Sequence, residues 1–283
     1  MLRERVSNNI YVFTSELYAQ VTAGAIVTQE GAIVIDTLPY PAETRDIVNF
    51  VEKRQGVPVR YVVNTHYHAD HSYGSCFFRH AEVVAHSLCR ELLDTRGREG
   101  LRNAKASSSQ MEGIQLVLPG LVFEEDTLSL HLGGKTLTMW HAPGHSPDSI
   151  VCHVEDEGIL FAADLMMPVP FFTDGSIDDF ETSLQSLLAL PFENVVQGHG
   201  EVILRGEIEE RIKSDLKYLE TVRHKVTSFV KSGKSPDDLA GIDIEECGKS
   251  RIPLNGLVQQ LHASNLDTLY YQLSEEAERE AAR

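Results

Sequence analysis

Short apolar runs separated by turn residues dominate the first part of the chain and predict strands alternating with helices. The predicted strands are residues 9–14, 23–28, 31–36, 59–64 and 82–85. The predicted helices are residues 41–55 and 86–94. The second and third strands are joined by Gln29-Glu30-Gly31, which fits a hairpin turn. A strand meander followed by strand–helix alternation indicates a layered α/β domain.

The apolar pattern of the second part repeats this plan, with strands first and helices afterwards. The predicted strands are residues 128–132, 136–141, 150–154, 159–163 and 194–197. The predicted helices are residues 178–190, 207–230 and 254–274. Because the last two helices follow all the strands, we expect an α/β domain over residues 1–204 and a helical extension over residues 205–283 that packs on it.

Residues 95–115 interrupt the pattern, because they are rich in Gly, Arg, Ser and Lys and lack clear apolar periodicity. This composition predicts a long irregular loop. Loops of that length in compact domains are either lids over functional sites or flexible excursions, and the sequence leaves both open.

Composition narrows the class of protein. The 283 residues are 42% hydrophobic, which is enough for a sizeable core. With 25 basic against 42 acidic residues, the net charge of −17 repels phosphate and argues against a nucleic-acid partner. The four cysteines form no C-x-x-C pair and fit reduced thiols in a cytoplasmic protein. We expect no secretory signal and no membrane partner, because the N-terminus lacks an apolar segment and no run of 18 apolar residues occurs.

One segment concentrates groups that bind metals. His66, His68, Asp70 and His71 lie within six residues, directly after the apolar strand at residues 59–64. Imidazole and carboxylate together suit zinc, manganese or iron. In an extended loop His66 and His68 point the same way, since side chains alternate with a period of two. Asp70 and His71 then face a neighbouring point, which suits two adjacent metals better than one.

Three later residues fit the same centre. His145, Asp164 and His199 each lie on a loop that follows an apolar strand, where functional groups commonly project from a rigid scaffold. With the first segment they make five histidines and two aspartates. That set fills two four-ligand shells if one ligand is shared.

This ligand order resembles the metallo-β-lactamase superfamily. The pattern His66-x-His68-x-Asp70-His71, followed by His145, Asp164 and His199, matches its metal motifs, and Val34-Ile35-Asp36-Thr37 is similar to its first motif. The resemblance covers residues 10–200. It implies an α/β fold, an αββα sandwich of two mixed β-sheets flanked by helices, with the site along the edge between the sheets.

The resemblance also implies a dinuclear ligand set. The first metal would take His66, His68 and His145, the second would take Asp70, His71 and His199, and Asp164 would bridge them. Asp36 and Thr65 would orient ligand imidazoles from behind. The cofactors expected are two divalent metal ions, zinc first, with iron or manganese as alternatives. Two ions roughly 3.5–4 Å apart share a water and lower its pKa toward neutral, which gives a bridging hydroxide nucleophile.

Asp164 decides which branch of the superfamily the chain resembles. True β-lactamases usually carry Cys or Ser at this place, so the chain is more similar to the glyoxalase II, lactonase and general hydrolase branches. These cleave ester, thioester or lactone-type acyl bonds, with Asp70 and Asp164 as the carboxylates at the centre of catalysis. Two alternatives remain open: an iron-dependent persulfide dioxygenase-like oxidoreductase, and promiscuous hydrolysis of β-lactams.

The substrate pocket has the weakest sequence signal. The apolar segment after Asp164 offers a hydrophobic wall for an acyl group, although ordinary loop packing explains it equally well. Two tyrosines near the ligands could supply a hydroxyl. The candidate pocket residues are Tyr67, Tyr73, Met166, Phe171 and Phe172. We expect a small-molecule substrate, and a homodimer stays open.

Overall fold

The computed structural model describes residues 1–124 and 127–281. The strands are β1 (Leu2–Ser7), β2 (Ile10–Thr14), β3 (Thr22–Thr28), β4 (Gly31–Ile35), β5 (Val59–Val63), β6 (Glu82–His86), β7 (Leu121–Phe123), β8 (Thr127–Leu132), β9 (Lys135–His141), β10 (Ile150–Val154), β11 (Ile159–Ala163), β12 (Asn194–Gln197) and β13 (Ile203–Leu204). The α-helices are α1 (Pro41–Val48), α2 (Ala69–Ser72), α3 (Ser87–Leu92), α4 (Arg98–Ser107), α5 (Ile177–Leu187), α6 (Arg205–Lys231) and α7 (Leu257–Ala281).

The strands form two mixed sheets. The first follows chain order from β1 to β7; its strands pair antiparallel up to β4 and parallel from β4 to β7. The second has the order β13-β12-β11-β10-β9-β8, with β11 and β12 as its parallel pair. Apolar residues from both sheets form one core between them, and helices cover the outer faces. The predicted αββα sandwich is therefore confirmed.

Strand β11 shows why the central strands are apolar on both faces. Ile159 and Phe161 point into the core between the sheets, while Leu160 and Ala162 pack in the cluster that includes α5, α6 and α7. Alternate residues of a strand face opposite sides, so a strand covered on both sides has no polar position. Its carboxyl end therefore emerges from a rigid, fully buried element.

The segment predicted as an irregular loop, residues 95–115, is largely helical, so that prediction is wrong. A π-helical turn at Leu93–Gly97 continues α3 into α4, and a 3₁₀ turn follows at Ser109–Met111. In α4 only Leu101 is buried, against Tyr73 and Ile114. The apolar face of α4 is limited to Leu101 and the partly buried Ala104, which is too little to stand out in a segment rich in Gly, Arg, Ser and Lys.

The C-terminal helices pack on the second sheet. Residues of α6 and α7, including Ile212, Leu219 and Leu266, share one continuous apolar cluster with β11 and α5. The division at residue 204 stays a prediction, and residues 125, 126, 282 and 283 of the two predicted units lie outside the described ranges. Within those ranges, none of the helices combines the length and the apolar character needed to cross a membrane.

Candidate metal centre

The predicted ligands come together at one edge of the sandwich, on four loops. The first loop follows β5 and runs into α2, the second joins β9 to β10, and the other two follow β11 and β12. These loops carry the seven residues proposed from sequence: His66, His68, Asp70, His71, His145, Asp164 and His199. The histidines except His68 are buried, as is Asp164.

Three imidazoles converge on one point. His68 Nδ1 lies 3.1 Å from His66 Nε2 and 2.9 Å from His145 Nε2. Asp70 Oδ2 faces a second point, 3.4 Å from His199 Nε2 and 3.8 Å from His71 Nε2. Each triplet has its ligand atoms within 4.8 Å of one another.

Asp164 joins the two triplets. Its Oδ1 lies 3.2 Å from His71 Nε2, and its Oδ2 lies 3.3 Å from His145 Nε2 and 3.4 Å from His199 Nε2. One carboxylate therefore contacts imidazoles of both groups.

The outer nitrogen of each histidine has a partner that orients the ring. His71 Nδ1 donates to Asp36 Oδ2 at 2.8 Å, and Thr65 donates to both oxygens of the same carboxylate. His145 Nδ1 donates to the Phe171 carbonyl at 2.7 Å, and His199 Nδ1 donates to the Ala19 carbonyl at 2.9 Å. These bonds leave the inner nitrogen of a neutral ring as a lone-pair donor, the state that a metal requires.

The outer ring nitrogens of His66 and His68 also have hydrogen-bond partners. Thr65 Oγ1 donates to Asp36, so His66 Nδ1 donates to Thr65 Oγ1 at 3.1 Å. His68 Nε2 donates to Asp174 Oδ2 at 3.2 Å. The inner nitrogens of His66, His68 and His145 therefore face one another across about 3 Å, lone pair against lone pair. In the other group His71 Nε2 and Asp164 Oδ1 lie 3.2 Å apart and are buried with no other hydrogen-bond partner among the described residues. A divalent cation removes both penalties, so the residues present fit bound metal.

The two triplets differ in their affinity for protons. Burial lowers the pKa of His145 to about 4 and that of His66 well below its ordinary value. Burial has the same effect on His199, but the carboxylates of Asp164 and Asp70 outweigh it and raise its pKa to about 10. The pKa of His71 is raised well above its ordinary value for the same reason, with Asp164 the strongest charge.

The pKa values of the two carboxylates are lowered. Burial alone would raise the pKa of Asp164, but the charges of His199, His71 and His145 hold it well below its ordinary value. The pKa of Asp70 falls to about 2, because His71 and His199 outweigh its burial. Both carboxylates are therefore ionised at neutral pH and available to a cation.

Comparison with known proteins places this site in a family. The model of the metallo-beta-lactamase superfamily matches residues 18–199, which include all seven residues. The chain belongs to this superfamily. The predicted family is thus confirmed, on a span that includes strands β3 to β12 and the whole centre.

Named superfamily relatives are distant. The bovine protein "Acyl-coenzyme A thioesterase MBLAC2" is 28% identical over 186 residues, 59% of this chain and 65% of the relative. The "Linear primary-alkylsulfatase" of a Pseudomonas species is 23% identical over 255 residues, 76% of this chain and 48% of the relative. The chain spans between about half and two thirds of the length of these relatives.

Among solved structures, a metallo-beta-lactamase from Pontibacter korlensis superposes with a TM-score of 0.62 at 21% identity. The superposition covers 77% of this chain and 98% of that chain. At this identity the likeness shows the superfamily fold.

A cavity of about 290 Å³ opens onto the centre. Its walls are largely apolar and come from the loop after β11 and from the start of α7. The side chains of the wall, apart from those of the seven residues, belong to Tyr18, Ala19, Ala69, Met167, Phe171, Leu254, Leu257 and Leu261. The cavity therefore places an apolar wall beside two ionised carboxylates.

Of the pocket residues proposed from sequence, Phe171 lines this cavity and the others do not. Met166 and Phe172 are buried in the core cluster under α5 and α6, where apolar burial outweighs exposure to the cavity. Tyr67 donates its hydroxyl to Asp174, and Tyr73 packs in the small cluster with Leu101. Met167 and the C-terminal leucines line the cavity, where Met166 and Phe172 were predicted.

Sequence reasoning missed Asp174 as an orienting residue. Its carboxylate accepts hydrogen bonds from Tyr67 Oη and Arg96 Nη1, both at 2.7 Å, in addition to the bond from His68. Asp174 lies ten positions after Asp164 and has no motif around it. The sequence therefore carries no signal for a contact that only the folded loops create.

Proposed function

We propose that this chain is a metal-dependent hydrolase that cleaves an ester, thioester or lactone-type acyl bond of a small molecule. The observation that supports it best is the Asp164 carboxylate, which contacts imidazoles of two separate ligand triplets beneath a cavity with apolar walls. One carboxylate has two oxygens and can serve two ions, which imidazole normally cannot.

We propose the same ligand assignment as the sequence suggested. His66, His68 and His145 would hold one ion, Asp70, His71 and His199 would hold the other, and Asp164 would serve both. Bound zinc would supply Lewis-acid polarisation of the carbonyl and lower the pKa of a water toward neutral.

The protein's own residues have three tasks in this proposal. Asp36 and Thr65 fix the orientation of His71 and His66 from behind, so the ligand set is preorganised. Asp70 and Asp164 hold the negative charge that retains two cations. The walls formed by Phe171 and the C-terminal leucines exclude water around the acyl group and bind its apolar part.

The C-terminal segment belongs to the proposed pocket. Leu254, Leu257 and Leu261 line the cavity, so we propose that residues 205–283 form an extension that completes the substrate wall of the 1–204 unit. The relative named as an acyl-coenzyme A thioesterase agrees with acyl-bond hydrolysis. The predicted cytoplasmic location and homodimer stay predictions that cell fractionation and sedimentation would test.

Metal analysis joined to a substrate panel tests the proposal. The panel contains lactones, acyl-coenzyme A and acyl-glutathione thioesters, an alkyl sulfate, a phosphoester and a cephalosporin, with oxygen uptake on a persulfide as a separate arm. We expect about two metals per chain and the highest kcat/KM on an acyl substrate. Asp164→Ala and His71→Ala should lose metal and activity together.

Three results would contradict the proposal. Oxygen uptake without hydrolysis would assign the chain to the dioxygenase alternative, and preference for the alkyl sulfate or the cephalosporin would replace the acyl substrate. Full activity of Asp164→Ala would remove the two-metal mechanism. His224→Ala, which changes an exposed histidine of α6, is the matched control for loss of an imidazole.

A further inference from the structure

The loop between β2 and β3 forms one edge of the metal-centre cavity. Tyr18 lines this cavity together with Asp70, Asp164 and His199. Among the described residues of its wall, Tyr18 carries the only polar side chain outside the seven proposed ligands. A polar group at this place has direct access to whatever lies over the centre.

The backbone of this loop is fixed at its start by a buried carboxylate. Glu43 of α1 accepts hydrogen bonds from Ser15 Oγ at 2.6 Å and from the backbone N–H of Glu16 at 3.0 Å. Ser15 Oγ in turn accepts the N–H groups of Leu17 and Tyr18, at 3.1 and 3.0 Å. The position of Tyr18 is therefore set by the fold before any substrate arrives.

The end of the loop is joined to a proposed ligand. Ala19 and Gln20 both have positive φ, 43° and 51°, which turns their carbonyls toward the loop after β12. There the Ala19 carbonyl accepts from His199 Nδ1, and the Gln20 carbonyl accepts from the Gly200 N–H. Tyr18 thus stands in fixed relation to the Asp70, His71 and His199 side of the centre.

The hydroxyl of Tyr18 is free to bind a ligand. Its ring contacts the edge of the Tyr40 ring, 6.4 Å between centroids, and the side chain is 45% exposed. Within residues 1–124 and 127–281 the hydroxyl makes no hydrogen bond to the protein. A phenol is protonated at neutral pH, so the hydroxyl can donate a hydrogen bond to a ligand.

We propose that the Tyr18 hydroxyl donates a hydrogen bond to the leaving-group atom of the substrate, which makes Tyr18 a catalytic residue. The inference rests on the proposed acyl hydrolysis. Phe171 lies beside His145, so the apolar acyl group fits that side of the cavity. The proposal therefore places the leaving group beside Tyr18, whose loop accepts a hydrogen bond from His199 of the other ligand triplet.

The proposed hydrolysis balances in atoms and electrons, and Tyr18 is chemically unchanged at its end. Water adds its oxygen to the acyl carbon, the bond from that carbon to the leaving atom breaks, and the electron pair stays on the leaving atom. One water proton ends on the leaving atom, and the other is released as the acid ionises. Tyr18 stabilises the charge that builds on the leaving atom and keeps its own proton.

The test compares esters that share one acyl group and differ in leaving group. For Tyr18→Phe we expect kcat/KM to fall roughly 10- to 100-fold with an alkoxide leaving group, because a hydrogen bond to a charged group is lost. A p-nitrophenoxide leaving group is a stable anion that departs readily without a hydrogen bond. With it we expect kcat/KM to fall by less than about 3-fold. Calorimetric binding of the product alcohol should also weaken, with metal content and melting temperature unchanged.

Tyr40→Phe is the matched control, since it removes the same hydroxyl from a neighbouring ring outside the cavity wall. It should show no dependence on leaving group. Equal losses on both esters, no loss, or the same pattern in Tyr40→Phe would overturn the role of Tyr18. If the wild-type protein hydrolyses none of the esters, the proposed function fails instead, so the two failures are distinguishable.

Discussion

Gly198 is the residue on which the shared carboxylate depends most directly. A Cβ atom at this position would lie 1.8 Å from Asp164 Oδ1 and 2.7 Å from the Ala163 carbonyl carbon. The Gly198 N–H also donates to the Ala163 carbonyl at 2.7 Å. Since the obstacle includes backbone, no rotamer change relieves it.

We therefore expect Gly198→Ala to lower the free energy of unfolding by about 1–3 kcal/mol or more and to reduce metal content. Gly206→Ala is the control, because a Cβ there meets nothing within 4 Å and the residue lies in the first turn of α6. That change should leave stability the same or raise it by up to about 1 kcal/mol. Urea denaturation measures the free energy of unfolding of both variants, and metal analysis measures their metal content. A Gly198→Ala protein as stable as the wild type would contradict the close contact between Gly198 and Asp164.

The histidines of the first loop were predictable from their own spacing, and His145 and His199 only in combination with them, whereas Tyr18 was not predicted. Imidazoles spaced along a single loop after a strand carry their own signal, as His66 and His68 do. Tyr67 and Tyr73 are adjacent to ligands in sequence, yet the folded chain directs them to Asp174 and to the cluster around Leu101. Tyr18 is distant in sequence and reaches the site because β3 pairs with β2 and β4.

At the scale of elements, a buried ion pair connects α6 to the segment before α7. Lys249 Nζ lies 2.6 Å from Asp215 Oδ1 and 2.8 Å from Ser214 Oγ, and both charged residues are buried. Burial lowers the pKa of Lys249 and raises that of Asp215, so each charge depends on the other. Arg211 adds a second cation 3.5 Å from Asp215.

Removing one partner of the Lys249–Asp215 pair should lower the free energy of unfolding more than replacing both partners with apolar residues. We expect Asp215→Ala to destabilise the protein by about 3–5 kcal/mol, because it leaves the Lys249 charge buried without a carboxylate. The double variant Asp215→Leu with Lys249→Met should recover most of that loss. Urea unfolding of the single and double variants forms the test, and additive losses would show that the pair is not coupled.

Helix α4 shows where element prediction failed and why. Its apolar face consists only of Leu101 and the partly buried Ala104, so the signal that identifies a helix is weak over residues 95–107. The strands were found because two-sided burial makes them continuously apolar, as in β4 and β11. The edge strand β1 is largely exposed and carries the consecutive charged residues Arg3, Glu4 and Arg5, so it also has little apolar signal and was missed.

At the scale of the whole molecule, the centre joins loops from both sheets. Metal bound there adds its binding free energy to that of folding, since the site does not exist in the unfolded chain. Chelation should therefore lower the melting temperature by several degrees and raise susceptibility to proteolysis. Adding zinc back should restore both.

The fall in melting temperature on chelation should become larger as pH rises. Without metal, the His199 pKa of about 10 lies above the unfolded value, so its stabilising contribution is complete below about pH 6.5 and is lost as pH rises toward 10. Metal must displace the same proton, so metal binding becomes stronger over that range. Melting temperatures with and without chelator should diverge from pH 6.5 to 9, and a constant difference would contradict this linkage.

The sequence by itself determined the fold class, the superfamily and the seven side chains that meet at the sheet edge. Continuously apolar runs separated by turn residues predicted the layered α/β class. The order of His and Asp residues after those runs carried the resemblance that implied the sandwich, the superfamily and the ligand set. Only the tertiary structure decided what surrounds those side chains: Asp174 behind His68, the C-terminal leucines over the cavity, and Tyr18 at its edge. These contacts join segments that are far apart in the chain, and no local pattern records them, because they depend on how the sheets pack and not on which residues are neighbours in sequence.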